Sequence, residues 1–166
     1  TYLNDGNRKP VRSSYNNAHA YLSAPYGIYK TKDSFIAVAM TPVPALGELL
    51  GLKTITKFTD QKEWFTKRDE IKRLIGEWLI KETTDHWLAI LQPADIWCAE
   101  VLEWDKMIEN EGFKVLDMFQ RIKRSDGLNI ETLRCPIRIN SQIFKSDIAA
   151  PLVGQHNNEI IEEYQL

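Results

Sequence analysis

An α+β fold is what this sequence predicts, on three observations. Strand-forming runs, Ile28-Tyr29-Lys30 and Phe35-Ile36-Ala37-Val38-Ala39, flank the polar turn Thr31-Lys32-Asp33-Ser34, the pattern of a β-hairpin. Trp64, Ile71, Leu74, Ile75, Trp78 and Leu79 recur at helical spacings, with Lys67, Arg68, Glu70, Lys72, Arg73 and Glu77 opposite, which predicts a long amphipathic helix over Gln61 to Lys81. Further on, Ser125-Asp126-Gly127 separates two apolar runs, and Asp-Gly tolerates the positive φ of a tight hairpin turn. The expected architecture is a small hairpin-containing sheet packed against the long helix and its shorter neighbours, with extended arms at both ends.

Thr1 to Ala20 is rich in Asn, Ser, Arg and Lys, contains Pro10 and follows neither apolar period, so it reads as an extended arm. Gly27, after Pro25 and Tyr26, is placed to let the chain bend into the first strand. Beyond the hairpin, Thr41-Pro42-Val43-Pro44 is a break, and Ala45 to Leu50 reads as a short helix ended by Gly51. Thr59 or Asp60 can cap the long helix, and Thr83 or Thr84 can cap a helix over Asp85 to Leu91 that Pro93 ends. Ile96 to Leu102 is strand-like without clean alternation, as in a strand covered on both faces. Asp105 to Glu111 is expected helical, stopped by Gly112; Val115 to Ile122 and Leu128 to Leu133 form the second hairpin, followed by the strand Pro136 to Ile139. A C-terminal helix starts at Asn158.

Composition bounds the class of function. With 166 residues and 43% hydrophobic content the chain can bury one core and is too apolar for disorder. A formal charge of -2, from 21 basic and 23 acidic residues, offers no field to gather nucleic acid or an anionic membrane. No apolar run approaches the roughly 18 to 20 residues that span a bilayer, and a cytoplasmic location is expected. Cys98 and Cys135 lack a CxxC motif or a histidine at ligand spacing, so no metal site is expected and both are read as reduced and buried. The five tryptophans lie mostly at core spacing. A start at Thr1 and a core-poor first stretch read as a piece of a longer polypeptide.

Specific wording narrows this reading. Ala24-Pro25-Tyr26-Gly27-Ile28-Tyr29, then Thr31 and Asp33 before an apolar strand, resembles the opening of the small domain of the class III CoA-transferases, the formyl-CoA and carnitine CoA-transferase group. Thr83 to Trp87, then Ala94-x-Ile96-x-Cys98-Ala99-x-Val101, is similar to a second family phrase, although Trp97 and Glu100 stand where the family has prolines. Thr132 to Ile139 and the ending Ala150-Pro151-Leu152-Val153-Gly154-Gln155-His156 to Ile160 resemble a third, with Val153 and Asn157 departing from it. The resemblance covers nearly the whole chain. It implies a linker arm over 1–22 from a doubly wound domain not matched here, a small α+β domain over 23–113, and C-terminal strands and a helix over 114–166 that return toward that domain.

The same resemblance implies an activity. The family moves CoA between carboxylic acids through an aspartyl-CoA and anhydride intermediate, so the substrates would be an acyl-CoA and a carboxylic acid, with no tightly bound cofactor and an interlocked homodimer as the intact form. The nucleophilic aspartate is expected upstream, and no aspartate here matches it: Asp33 fills the hairpin-turn position, Asp126 a turn, and Asp60, Asp69 and Asp85 fall at caps or on a solvated helix face. The piece would cover the active site without supplying the nucleophile, and alone it would be inactive. Two alternatives stay open, an α-methylacyl-CoA racemase of the same family and a non-catalytic interaction module.

The loop 17–26 is the candidate covering element. Some family members carry a glycine-rich run here, whereas this chain has His19-Ala20-Tyr21-Leu22-Ser23-Ala24, so a stiff apolar wall is expected rather than a glycine lid. Tyr21, Leu22, Ser23, Ala24 and Tyr26 are the candidate substrate-binding residues; the competing reading packs Tyr21, Leu22 and Tyr26 beneath the hairpin. His19 tempts as a base, though a surface role is the plainer reading; His86 reads as structural, and His156 as a capping or docking residue. Arg121, Lys123, Arg124, Arg134 and Arg138 could meet the phosphates of CoA, but alternate with acidic and apolar positions as a solvated sheet face would.

Overall fold

The computed structural model describes residues 2–15 and 18–166, and it separates into two compact units, Thr1–Val101 and Leu102–Leu166. Thr1, Asn16 and the first loop residue, Asn17, lie outside the described residues. Both units combine helices with antiparallel strands, as an α+β fold requires.

In the first unit, β1 (Gly27–Lys30), β2 (Phe35–Val38) and β3 (Cys98–Glu100) form one antiparallel sheet in that order. The pleat sends Tyr29, Ile36 and Val38 inward and leaves Ile28, Lys30, Phe35 and Ala99 exposed. The inward set meets Val43 and Leu46 of α1 (Val43–Leu49), Ile71, Ile75 and Leu79 of α3 (Arg68–Leu79), and Trp87 and Leu91 of α4 (Thr84–Leu91) in one hydrophobic core. Burying each such aliphatic side chain contributes about 1.5 to 3 kcal/mol before entropy is counted.

The caps fall where the sequence places them. The Asp60 carboxylate accepts the Lys62 amide at 2.9 Å at the start of α2 (Gln61–Thr66), and the Thr83 hydroxyl accepts the His86 amide at 3.3 Å at the start of α4. Gly51 takes the left-handed φ of +67° after α1.

Several expectations are corrected. The long helix is two, α2 and α3, broken at Lys67 (φ -107°, ψ 21°), and beside this break the Trp64 carbonyl accepts the Ala24 amide at 2.9 Å. The bend into β1 lies at the cis Ala24–Pro25 peptide, while Gly27 sits inside the strand. The third strand is shorter than predicted because the Ile96 amide donates to the Leu91 carbonyl at 3.1 Å, which ties this residue to the end of α4. Asp69, half-buried in the first turn of α3, also accepts from the Ser13 hydroxyl at 2.6 Å and the Ser14 hydroxyl at 2.7 Å, and so pins the arm to α3.

The second unit holds α5 (Trp104–Glu109), α6 (Glu111–Val115), the hairpin β4 (Phe119–Lys123) and β5 (Asn129–Leu133), the two-residue pair β6 (Arg138–Ile139) and β7 (Gln142–Ile143), and α7 (Asn157–Tyr164). Gly127 turns the larger hairpin with φ +90°. Gly112 lies within α6 instead of ending α5, since the Asn110 side chain accepts its amide at 2.9 Å and starts a new helix. The predicted strand from Val115 begins only at Phe119. Asp117 takes a left-handed φ of +48°, and the Arg134 guanidinium claims the Leu116 and Asp117 carbonyls that a ladder would need. Arg134, predicted on a solvated face, is the one buried residue described in this unit, at 3% exposure.

Candidate functional site

The segment from His19 to Tyr26 is held at several points. The Leu22 amide donates to the His19 carbonyl at 3.2 Å, the Ala24 amide to Trp64, and the Tyr26 amide to the Ser23 carbonyl at 3.2 Å. The buried Tyr29 hydroxyl donates to the Pro25 carbonyl at 2.6 Å, and burial pushes its phenol pKa up, so it stays a donor throughout the physiological range. These bonds tie the segment to itself, to Trp64 and to Tyr29 of β1.

Beside this segment, the outward face of the sheet is hollowed into an open groove of about 620 Å³. His19, Tyr26, Ile28, Ala37, Trp97 and Ala99 line it, and no charged side chain does among the described residues. Its floor follows the strand register, in which Ile28 pairs with Ala37 and Ala37 with Ala99. The Tyr21 amide donates to His19 Nδ1 at 3.3 Å, which leaves the proton of the neutral ring on Nε2. Cys98 contributes to the groove half-buried, with its thiol pKa raised by burial and hence little thiolate near neutral pH.

The five residues singled out from the sequence are divided. Tyr26 lines the groove. Ser23 and Ala24 line a second hollow of about 340 Å³ beside Met40 and Trp64. Tyr21 and Leu22, both half-buried, line neither of these two. Sequence reading missed Ile28, Ala37, Trp97 and Ala99. The available signal was alanine at an outward strand position, where bulky or branched side chains are the rule.

The other candidates have structural partners. The Asp33 carboxylate accepts the Thr84 amide at 2.9 Å and the Thr84 hydroxyl at 3.2 Å. Those bonds, led by the Thr84 amide, hold its pKa below the usual carboxylate range. Arg124 chelates Asp126, whose pKa falls to about 2, and Arg121 faces Glu131 at 3.4 Å. Arg138 reaches the Val115 and Leu116 carbonyls, and His156 Nδ1 lies 2.8 Å from Glu159 without capping α7. Two tryptophans depart from the expected core role, Trp97 at 75% and Trp104 at 79% exposure, and Cys135 is exposed rather than buried. No group of three or more His, Cys, Asp or Glu able to hold a metal occurs among the described residues. No helix among them is long and apolar enough to cross a membrane.

The first unit thus presents a hydrogen-bonded loop beside a sheet face with no charged lining among the described residues. The chain belongs to CoA-transferase family III, whose sequence profile matches residues 1–157. It is similar to the cinnamoyl-CoA:phenyllactate CoA-transferase of Clostridium sporogenes, with 25% identity over 146 residues, covering 81% of this chain and 35% of the relative. It is also similar to the (R)-2-hydroxy-4-methylpentanoate CoA-transferase of Clostridioides difficile, with 22% identity, covering 57% of this chain and 24% of that protein. The chain thus spans about a quarter to a third of the length of these two curated relatives. Among solved structures, a CAIB/BAIF family protein from Brucella suis matches with a TM-score of 0.61 and 24% identity, over 98% of this chain and 42% of the other. Rv3272 from Mycobacterium tuberculosis matches with a TM-score of 0.60 and 22% identity, over 84% of this chain and 40% of the other. At these identities the structures speak for the fold.

Proposed function

We propose that this chain is the small domain and C-terminal part of a CoA-transferase, and that it covers a reaction centre whose nucleophile lies outside these residues. Family membership carries the reading. The structural roles found for Asp33, Asp60, Asp69 and Asp126 support it, since each of these carboxylates is engaged by a cap, a turn or the arm. In the proposed reaction a carboxylate oxygen attacks the thioester carbonyl, the C–S bond breaks, and CoA leaves as a thiolate. That thiolate then attacks the enzyme's own carbonyl in the mixed anhydride, releasing the donor acid, and the incoming acid takes CoA by the reverse steps. Anhydride and thioester are both lost to water, so the cover matters to the yield. The fixed segment Tyr21, Leu22, Ser23, Ala24 and Tyr26 supplies that water-excluding wall. The intact protein acts as an interlocked homodimer on an acyl-CoA and a carboxylic acid, without a tightly bound cofactor, in the cytoplasm. The names of the two curated relatives, one aromatic and one branched, point to acids with an aromatic or branched apolar end, 2-hydroxy acids among them, as the first to try.

Intact protein incubated with an acyl-CoA and an isotopically labelled acid should return labelled thioester, whereas residues 1–166 alone should not. Transfer by the isolated chain, or none by intact protein with aromatic and branched acids, refutes the proposal. Exchange of the acyl α-proton with deuterium in the absence of transfer would point to a racemase instead.

A further inference from the structure

The outward sheet face beside the pinned loop contains a row of small side chains that packing within the chain does not demand. Strands favour β-branched and aromatic residues, because these fill the pleated surface. Here the register sets Ala37 between Ile28 and Ala99, and the Ala39 amide donates to the Trp97 carbonyl at 2.8 Å, so Ala39 stands at the next step of the same face. The result is a low floor between Tyr26 and Ile28 on one side and the exposed indole of Trp97 on the other. Its core-facing neighbours Ile36 and Val38 are fully or almost fully covered, so the floor can change without opening the core.

We infer that this alanine-floored groove is the acyl-selecting subsite of the transferase, with Ala37 and Ala99 setting its depth and Trp97 its far wall. The inference rests on the function proposed above and names the part of the substrate that the groove receives. A volume of about 620 Å³ lies within the usual range of small-molecule sites, roughly 300 to 1,000 Å³. Among the described residues no charged side chain lines it, which suits the apolar acyl end of the thioester better than the phosphates of CoA. His19 and Tyr26 are the lining residues whose side chains carry donors suited to the acyl carbonyl oxygen. The groove also adjoins the wall segment, since His19 and Tyr26 belong to both.

Intact protein tests this with a series of acyl-CoAs running from acetyl to branched and phenylalkyl groups. Ala99→Leu should lower kcat/KM for the bulky acyl groups by about tenfold or more and leave acetyl-CoA within about twofold, the range expected when methylenes compete for an apolar site. Ala37→Val, a strand-favouring change, should shift preference the same way by a smaller factor. Trp97→Ala should relax the discrimination. Calorimetric binding of a phenylalkyl-CoA to the same proteins reads the subsite without turnover, so it separates this inference from transfer: weaker binding by Ala99→Leu supports the subsite even where no transfer occurs. Unchanged acyl preference and unchanged binding in Ala99→Leu and Trp97→Ala, with thermal melts matching the parent, overturn it, as does failure of the parent protein to bind any bulky acyl-CoA.

Discussion

Gly47 marks the tightest approach in the first unit. A Cβ built there would stand 2.8 Å from Ile55 Cγ1 and from Thr56 Cγ2, and 3.1 Å from the Leu52 carbonyl oxygen, so α1 lies directly on the following turn. Gly47→Ala would favour the helix locally, yet it overpacks this contact and is expected to cost about 1 to 3 kcal/mol, read as a lowered urea midpoint. An unchanged midpoint would mean that the turn at Lys53–Ile55 yields freely. At this scale the sequence was legible where chemistry is local. Asp60 and Thr83 cap helices because a side-chain oxygen two or three residues from a free amide reaches it with few alternatives. Trp97 was not legible. Its exposure follows from which side of a three-residue strand it precedes, and that depends on a pairing formed with a segment some 60 residues earlier in the chain.

Between elements, one polar cluster joins the β1–β2 turn to the start of α4. Thr31 and Thr84 share a buried hydroxyl contact of 2.7 Å, and Asp33 accepts from the Thr84 amide, so the turn serves as an extra cap for the helix. The Asp33 pKa is lowered in the folded chain, which fixes the sign of its pH dependence. Its stabilising share is complete above the unfolded carboxylate value of about 3.9 and is lost as pH falls through the lower folded value. Urea midpoints followed from pH 6 to pH 3 should therefore decline less steeply for Asp33→Asn than for the parent. Parallel curves would show that the carboxylate adds nothing that the amide cannot. The broken helix at Lys67 was invisible to periodicity, because Trp64 and Ile71 keep helical spacing across the break. What separates α2 from α3 is a tertiary demand, the Ala24 amide bonded to the Trp64 carbonyl.

Across the chain the two units differ in what holds them. The first has a continuous core from Val43 to Leu91 and the sheet, whereas the second buries only Arg134 among its described residues and leaves Leu133, Ile139, Phe144, Ile160 and other apolar side chains exposed. Local stability follows covered apolar contact. In hydrogen exchange, the amides of Ile71, Ile75 and Leu79 should be the slowest, and those of Arg138–Ile139 and Gln142–Ile143 close to free-peptide rates. Equal protection in the two units would contradict this ordering. The α+β class was legible because hairpin turns and one amphipathic stripe are written locally, while the groove was hidden in a cross-strand register. That register also separates two kinds of inheritance within a single strand. In β2, positions 36 and 38 answer to the interior and 37 to whatever lies outside, so substitutions at 37 and 99 can retune the exterior surface while the scaffold beneath keeps its identity.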